Sequence, residues 1–354
     1  MKKLFLSALA TISLISANAQ DSTAVEETST PLVISGSIDA YYKASPNNLS
    51  PGTSFADGET GFNLGMANVI LEKAGEKSGF VADLVFGPRG DGAVFLDADS
   101  LGTGNNFAIL NQLYAYWNIT DEFTLTFGNF NTFLGYEVIS PTGNFNYSTS
   151  YMFSNGPFSH TGLKLDYAVS DNISLMASVM NATDATSGPL GVNTPTFGFQ
   201  LGLFDAAWIN VVAGDQDGNA EGSAGSTFQV DLTAGKDLSD DFYLGVNTTY
   251  NTTSYDEDLY GFSASGFYGA ALYAQYALSD ALKAGVRGEY FAWHTSGADA
   301  VSVIDITASL NYTVGDLTFI PEFRIDLSED AWADSKGDPL SSLPQFYLAA
   351  VYAF

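Results

Sequence analysis

Short runs in which apolar and polar residues alternate one by one recur along almost the whole chain. Phe228, Val230, Leu232 and Ala234 interleave with Gln229, Asp231, Thr233 and Gly235. A strand sends successive side chains to opposite faces, so this run has one oily face and one wet one. After a polar stretch at 237–241 the rhythm resumes. Phe242, Leu244, Val246, Thr248 and Tyr250 lie on one side, with Tyr243, Gly245, Asn247 and Thr249 on the other. Sixteen such strands are read: 32–43, 62–73, 80–87, 107–118, 123–131, 161–169, 173–181, 196–204, 207–214, 226–236, 242–251, 267–278, 282–291, 301–313, 317–326 and 344–354. Strands of a soluble sandwich alternate in the same way. The connections separate the two cases, because seven are tight, such as 120–122 and 279–281, and eight are long, up to 29 residues at 132–160. An even count with both ends on the tight-turn edge is the pattern of a bacterial outer-membrane barrel. In lipid, only a closed sheet leaves no strand edge unpaired.

The expected fold is therefore all-β, a transmembrane antiparallel β-barrel of about 16 strands with short periplasmic turns and long extracellular loops. Outward faces hold Leu32, Ile34, Ile38 and Tyr42; Phe80, Ala82, Leu84 and Phe86; and Ile304, Ile306, Leu310 and Tyr312. The strand at 62–73 has no assignable facing, since both sides are largely apolar and Glu72 disturbs one of them. Fourteen or eighteen strands stay open, because hairpins can be split or merged.

The two ends fit export. Residues 1–19 read as a signal peptide: Lys2 and Lys3, an apolar stretch from Leu4 to Ile15, then Ala17-Asn18-Ala19. The apolar stretch is too short to span a bilayer. Residues 20–31 read as a flexible acidic leader, and 32–354 as the barrel. At the other end Phe346, Leu348, Tyr352 and Phe354 share one face and the last residue is aromatic, as in an outer-membrane insertion signal. The sequence has no cysteine, which excludes a lipid-anchored N-terminus and any disulfide. No run of 18 apolar residues follows the signal, so transmembrane helices are excluded. Aromatic residues make up 14% of the chain and glycine is abundant at 35, which suits interfacial girdles and small inward-facing positions.

The formal net charge of −28, more acidic still by two once Lys2 and Lys3 are removed, excludes a nucleic-acid binder. It also argues against charge-driven docking on an anionic membrane. The acids gather in the long connections, and their field favours cations at the outer mouth. Inward strand positions carry Asp39, Lys43, Asp83, Lys164, Asp166, Asp231, Lys283, Arg287, Glu289, Asp305, Glu322, Arg324 and Asp326. On three neighbouring strands Arg287, Asp305, Glu322 and Arg324 stand at similar heights, so opposite charges can form a ladder on the wall. Glu137, Lys164, Asp231 and this ladder are the candidate pore-lining and constriction residues. The ladder reads either as structural charge pairing or as a field that sorts solutes. The third long connection, 132–160, holds Phe133, Tyr136, Phe145, Tyr147, Tyr151, Met152 and Phe153, with Glu137 its only acid. It is too apolar to float in water, so it is expected to fold into the lumen, with a cap over the outer mouth as the rival.

The run Leu125-Thr-Phe-Gly-Asn-Phe-Asn-Thr-Phe-Leu-Gly-Tyr-Glu137, then Asn144-Phe-Asn-Tyr-Ser148 and Gly156-Pro-Phe-Ser-His-Thr-Gly162, together with Phe86-Gly-Pro-Arg-Gly90, resembles the beta-barrel porin family called OmpL-like, common in Bacteroidota. The resemblance runs through most of the chain after the leader. It implies an outer-membrane pore and brings no established substrate or catalytic residues.

Other chemistry is sparse. His160 and His294 are the only histidines, too few for a zinc array, and Ser159 and His160 are strand neighbours that point apart. Arg89-Gly90-Asp91 spells an adhesion tripeptide of the sort that arises by chance. Asp215, Asp217, Asn219 and Glu221 space oxygens two apart as a calcium loop does, but the glycine falls at the fourth position and no glutamate closes the loop at the twelfth, so only a weak divalent site is indicated. The function read from the sequence is an outer-membrane porin, a passive diffusion channel for small hydrophilic solutes and ions with mild cation preference. The alternatives are a non-conducting structural or adhesive barrel and, more remotely, an outer-membrane enzyme. No cofactor is expected. The expected partners are outer-membrane lipid and lipopolysaccharide, the barrel-assembly machinery and small solutes, with a homotrimer left open.

Overall fold

The computed structural model describes residues 30–46, 48–94, 109–186, 195–215, 225–334 and 336–354. The signal peptide at 1–19, nearly all of the leader, and Asp217, Asn219 and Glu221 lie outside these residues.

Sixteen strands form one sheet closed on itself. They are β1 (Val33–Ala44), β2 (Gly61–Ala74), β3 (Ser78–Phe86), β4 (Leu110–Asn118), β5 (Phe123–Asn131), β6 (Ser159–Ser170), β7 (Ile173–Met180) and β8 (Thr196–Leu203). The second half comprises β9 (Ala207–Asp215), β10 (Ser226–Asp237), β11 (Phe242–Ser254), β12 (Ala264–Ser279), β13 (Leu282–Thr295), β14 (Val301–Val314), β15 (Leu317–Ala333) and β16 (Pro339–Ala353). Each strand pairs antiparallel with its sequence neighbours, and β1 closes the ring on β16 through Ile38↔Tyr352, Ala40↔Ala350 and Tyr42↔Leu348. Closure leaves the sheet without an unpaired edge strand, whose backbone groups lipid could not satisfy.

The alternation read from the sequence sets the facing. In β14, Ile304, Ile306 and Leu310 are exposed on the outside while Asp305, Thr307 and Ser309 are buried inside. Phe346, Leu348, Tyr352 and Phe354 all lie on the outer face, between 39% and 55% exposed. The unassignable second strand has a specific cause. The pairing of β1 with β2 shifts between Ile38↔Ala67 and Ala40↔Leu64, so Gly65 and Met66 together face Asp39. This β-bulge reverses the facing along β2. Phe62 and Leu64 point outward before it at 90% and 71% exposed, while Asn68 turns inward after it at 2%. No single period-2 pattern fits such a strand.

Several strands run past the ends expected from the alternation. The strand pair β15–β16 extends through Trp332↔Leu340 after a shift at Leu327, where a 17-residue loop at 327–343 was expected. Outside the bilayer neither face of a hairpin meets lipid, so the polar Ser328-Glu329-Asp330 run breaks the alternation without ending the strands.

A closed ladder resists detergent but opens on heating. The purified protein should migrate faster unboiled than boiled on a denaturing gel, and a single unshifted band would count heavily against the closed barrel.

Candidate channel interior

Inside the ring lies the connection between β5 and β6. An earlier long connection, between β3 and β4, carries a short helix, α1 (Pro88–Ala93). The β5–β6 connection includes a single-turn helix, α2 (Tyr151–Asn155), capped by the Ser150 side chain, which accepts from the Phe153 N–H.

Wall carboxylates bind the backbone of the inserted segment. Glu322 on β15 accepts from the N–H groups of Tyr147 at 2.7 Å and Ser148 at 3.0 Å. Glu289 on β13 accepts from those of Tyr151 and Met152, each at 2.8 Å. Asp231 on β10 accepts from the Gly135 N–H at 2.9 Å, with Asn210 and Asn247 donating to it as well. Each is a charge-assisted bond in a site shielded from water, where such bonds are strongest.

Arginines hold the carbonyls. Arg287 donates to the Ser148 carbonyl and to Glu137 Oε1, both at 2.7 Å, and to Asp305 at 3.0 Å. Arg324 donates to the Thr149 carbonyl at 2.7 Å and contacts Asp305 at 2.8 Å and Asp326 at 2.7 Å. Asp305 thus sits between two guanidiniums, and all four of these wall side chains are fully buried. Arg89 of α1 donates to the carbonyls of Ile139 and Tyr147, both at 3.1 Å, and its guanidinium lies over the Tyr147 ring.

Aromatic side chains complete the fit. Tyr147 donates to Asp39 on β1, two strands from the Glu322 that holds its backbone, at 2.6 Å. Burial raises its hydroxyl well above the ordinary value, Arg89 opposes this, and Asp39 adds to it, so it stays a neutral donor. Tyr136 stacks on Tyr273 with ring centroids 4.0 Å apart, and burial likewise raises its hydroxyl. The inward glycines are seats for these rings. A Cβ on Gly285 would come within 2.9 Å of Phe145, one on Gly245 within 2.7 Å of the Tyr136 hydroxyl, and one on Gly198 within 2.6 Å of Phe133. Real Cβ atoms do not approach so closely, so close docking of the segment requires glycine at these wall positions.

The structure thus brings together Glu137, Asp231, Arg287, Asp305, Glu322 and Arg324 around one inserted segment. Lys164 stands apart on β6, part-exposed and paired with Asp166 at 3.1 Å. Arg287 and Arg324 are both 0% exposed, with the Nη groups of both engaged by carboxylates, hydroxyls and loop carbonyls, which favours structural pairing over a solute-sorting field as the role of the ladder. Three residues escaped selection as site candidates. Glu289 and Asp326 carried the same inward charge signal, while Arg89 lay in a connection whose fold the alternation does not report.

The remaining motifs fall into structural places. Arg89 of the Arg-Gly-Asp tripeptide is 0% exposed, which removes it from any adhesive surface. His160 lies at the start of β6, buried, with Nε2 2.9 Å from the Thr132 hydroxyl and its ring 4.9 Å from Phe133. His294 stacks on Tyr250 and contacts the Asn251 carbonyl. Among the described residues no group of three or more His, Cys, Asp or Glu side chains could hold a metal.

A closed antiparallel barrel of sixteen strands, oily outside and charged within, with a loop seated in its bore, defines the class of outer-membrane porins. The family described as "Putative beta-barrel porin-2, OmpL-like" matches residues 31–354, and the chain belongs to it. No curated protein shows a significant sequence match to this chain. Among solved structures, the outer membrane channel DcaP of Acinetobacter baumannii is similar at TM-score 0.61 and 14% identity, covering 93% of this chain and 99% of that one. An anion-selective porin from Comamonas acidovorans gives 0.59 at 10% identity over 92% and 99%. The trimer form of OmpT of Vibrio cholerae gives 0.59 at 10% identity over 92% and 99%. At these identities the likeness is one of fold. The protein is an outer-membrane porin-family barrel.

Proposed function

We propose that the protein is a passive diffusion channel for small hydrophilic solutes and ions, with a mild preference for cations. The observation that carries this reading is a sealed wall whose polar and charged side chains turn inward around a bore narrowed by its own third long connection. The segment acts as the constriction, as part-filling of a lumen by a loop does in pores generally. Acids outnumber bases 40 to 12 in the chain, which sets the sign of the preference. No catalytic constellation enters this reading. The outward aromatic face of Phe346, Leu348, Tyr352 and Phe354 serves recognition by the barrel-assembly machinery. A homotrimer embedded in lipid and lipopolysaccharide is the assembly the reading favours, as one structural neighbour is described as a trimer form.

A second reading, a non-conducting structural barrel, is favoured by a different observation. Among the described residues four buried apolar clusters occupy the interior, including one built on Tyr151, Met152, Phe267 and Phe291 and one on Phe55, Ile139, Phe153 and Phe158. Planar-bilayer recording under a potassium chloride gradient separates the two. The channel reading expects stepwise current and a reversal potential of cation sign that shrinks as salt rises and the Debye length falls from about 10 Å at 0.1 M to about 3 Å at 1 M. Insertion with an electrically silent membrane would favour the structural barrel, and anion sign at low salt would overturn the cation preference.

A further inference from the structure

The inserted segment is not centred in the bore. Its charged anchors draw residues 144–153 against β13, β14 and β15, and there the wall charges are wholly buried. Space survives beside it, four strands further round the ring. A cavity of about 110 Å³ lies between the end of the segment at Asn155–Pro157 and the wall of β9–β11, bordered by Thr183, Asp184, Thr227, Gln229 and Asn251. A smaller one of about 10 Å³, room for a single water, continues from it. The two share Gly156, Pro157 and Gln229, and the second lies between Leu134, Met152 and Phe153 of the segment and Asp231, Asn247 and Thr249 of the wall.

We infer that solutes pass along the β9–β11 wall, that the neck at Gln229 and Pro157 limits the passage, and that the route admits small cations and neutral polar solutes in preference to anions. This rests on the channel reading above. The chemistry of the lining carries it. The amide N–H groups of Asn155, Gln229, Asn247 and Asn251 are used within the protein, but amide and hydroxyl oxygens have two lone pairs each, so those lining the cavities can replace water around a small cation. The charged groups on the path are carboxylates, Asp184 and Asp231, and among the described residues neither lining includes a lysine, arginine or histidine.

Geometry explains why Gln229 marks the neck. It is 5% exposed, and both ends of its amide are held by β11, donating to Thr249 at 3.2 Å and accepting from Asn251 at 3.2 Å. Opposite it, Pro157 follows a helix pinned by the bond from Trp293 to Asn155 at 3.0 Å. Asp184 fixes the far end of the segment by accepting from the N–H groups of Phe158 at 2.6 Å and Ser159 at 2.8 Å. The neck therefore has a rigid wall on one side and a tethered loop on the other.

The absence of cysteine from the whole chain makes the test clean, because any introduced thiol is the only one. Gln229→Cys, Thr227→Cys and Thr307→Cys channels are each recorded in bilayers before and after a cationic methanethiosulfonate reagent, then an anionic one. Thr307 is buried behind the Arg287 guanidinium at 3.2 Å on β14, four strands from β10 in the ring. The inference expects modification at 227 and 229 to cut the current by roughly half or more, several-fold faster with the cationic reagent, and no effect at 307. Block at 307 with none at 227 or 229 would place the route on the arginine wall and overturn the inference while leaving the porin reading intact. Faster block by the anionic reagent would overturn the solute class. Should Gln229→Cys fail to fold, Thr227→Cys, which is part-exposed in the upper cavity, gives the same discrimination. Silent membranes from unmodified protein would remove both the inference and the reading beneath it.

Discussion

Replacing Arg324 by alanine should cost about 3–5 kcal/mol of barrel stability, the usual effect of breaking a buried pair by removing one partner. The side chain is 0% exposed and makes two bonds to Asp326 through Nε, a third through Nη2, and a bond to the Thr149 carbonyl. Its loss strands Asp326 without its guanidinium and leaves Asp305 with Arg287 alone. The penalty comes mostly from the carboxylates left behind, so removing the charge from both partners should undo much of it. Arg324→Met combined with Asp326→Leu is therefore expected to recover most of the lost stability, since hydrophobic replacement of a buried pair is often close to neutral. Urea unfolding of the barrel in vesicles, followed by the gel shift, measures both. A single variant as stable as the parent would show that this cluster is hydrated and not buried.

The fold was legible because lipid imposes a strict rule on every strand. A charge on the outer face costs about 2–4 kcal/mol near the midplane, so residues such as Ile304, Asp305 and Ile306 can be sorted by polarity alone. The rule lapses in two places, and there the sequence was silent. At Gly65 and Met66 a bulge inverts the facing, which period-2 counting cannot see. Above the bilayer both faces of a hairpin meet water, which hid the extra turns of β12, β13, β15 and β16.

The interior was legible in part. Inward charges could be named, and the apolar character of 132–160 pointed to a buried home. Which charge meets which loop atom depends on the path of a segment without periodicity, and no pattern encodes that Glu322 faces the Tyr147 N–H or that Arg89 reaches Ile139. The glycines gave the missed signal. Gly198, Gly245 and Gly285 interrupt wet faces that otherwise carry larger side chains, and each marks the seat of an aromatic ring from the loop.

The account's central claim is that the docked segment sets the width of a conducting pore. Glu289 and Glu322 together receive four backbone N–H groups of that segment, and hydrogen bonds to charged groups contribute about 1.5–3 kcal/mol each. Changing both to alanine removes all four without touching a lipid-facing residue or the neck at Gln229. The segment should then leave the wall of β13–β15 while the sheet stays closed, because its ladder bonds are untouched. Gly285→Leu, which would occupy the place of the Phe145 ring, should act in the same direction more weakly. The decisive measurement is single-channel conductance of the parent and of the Glu289→Ala, Glu322→Ala variant in the same bilayer and salt. The account predicts discrete steps from the parent and steps several-fold larger from the variant, both folded by heat-modifiable migration. Equal step sizes from the two would mean that the segment does not limit the pore, and the central claim would fall.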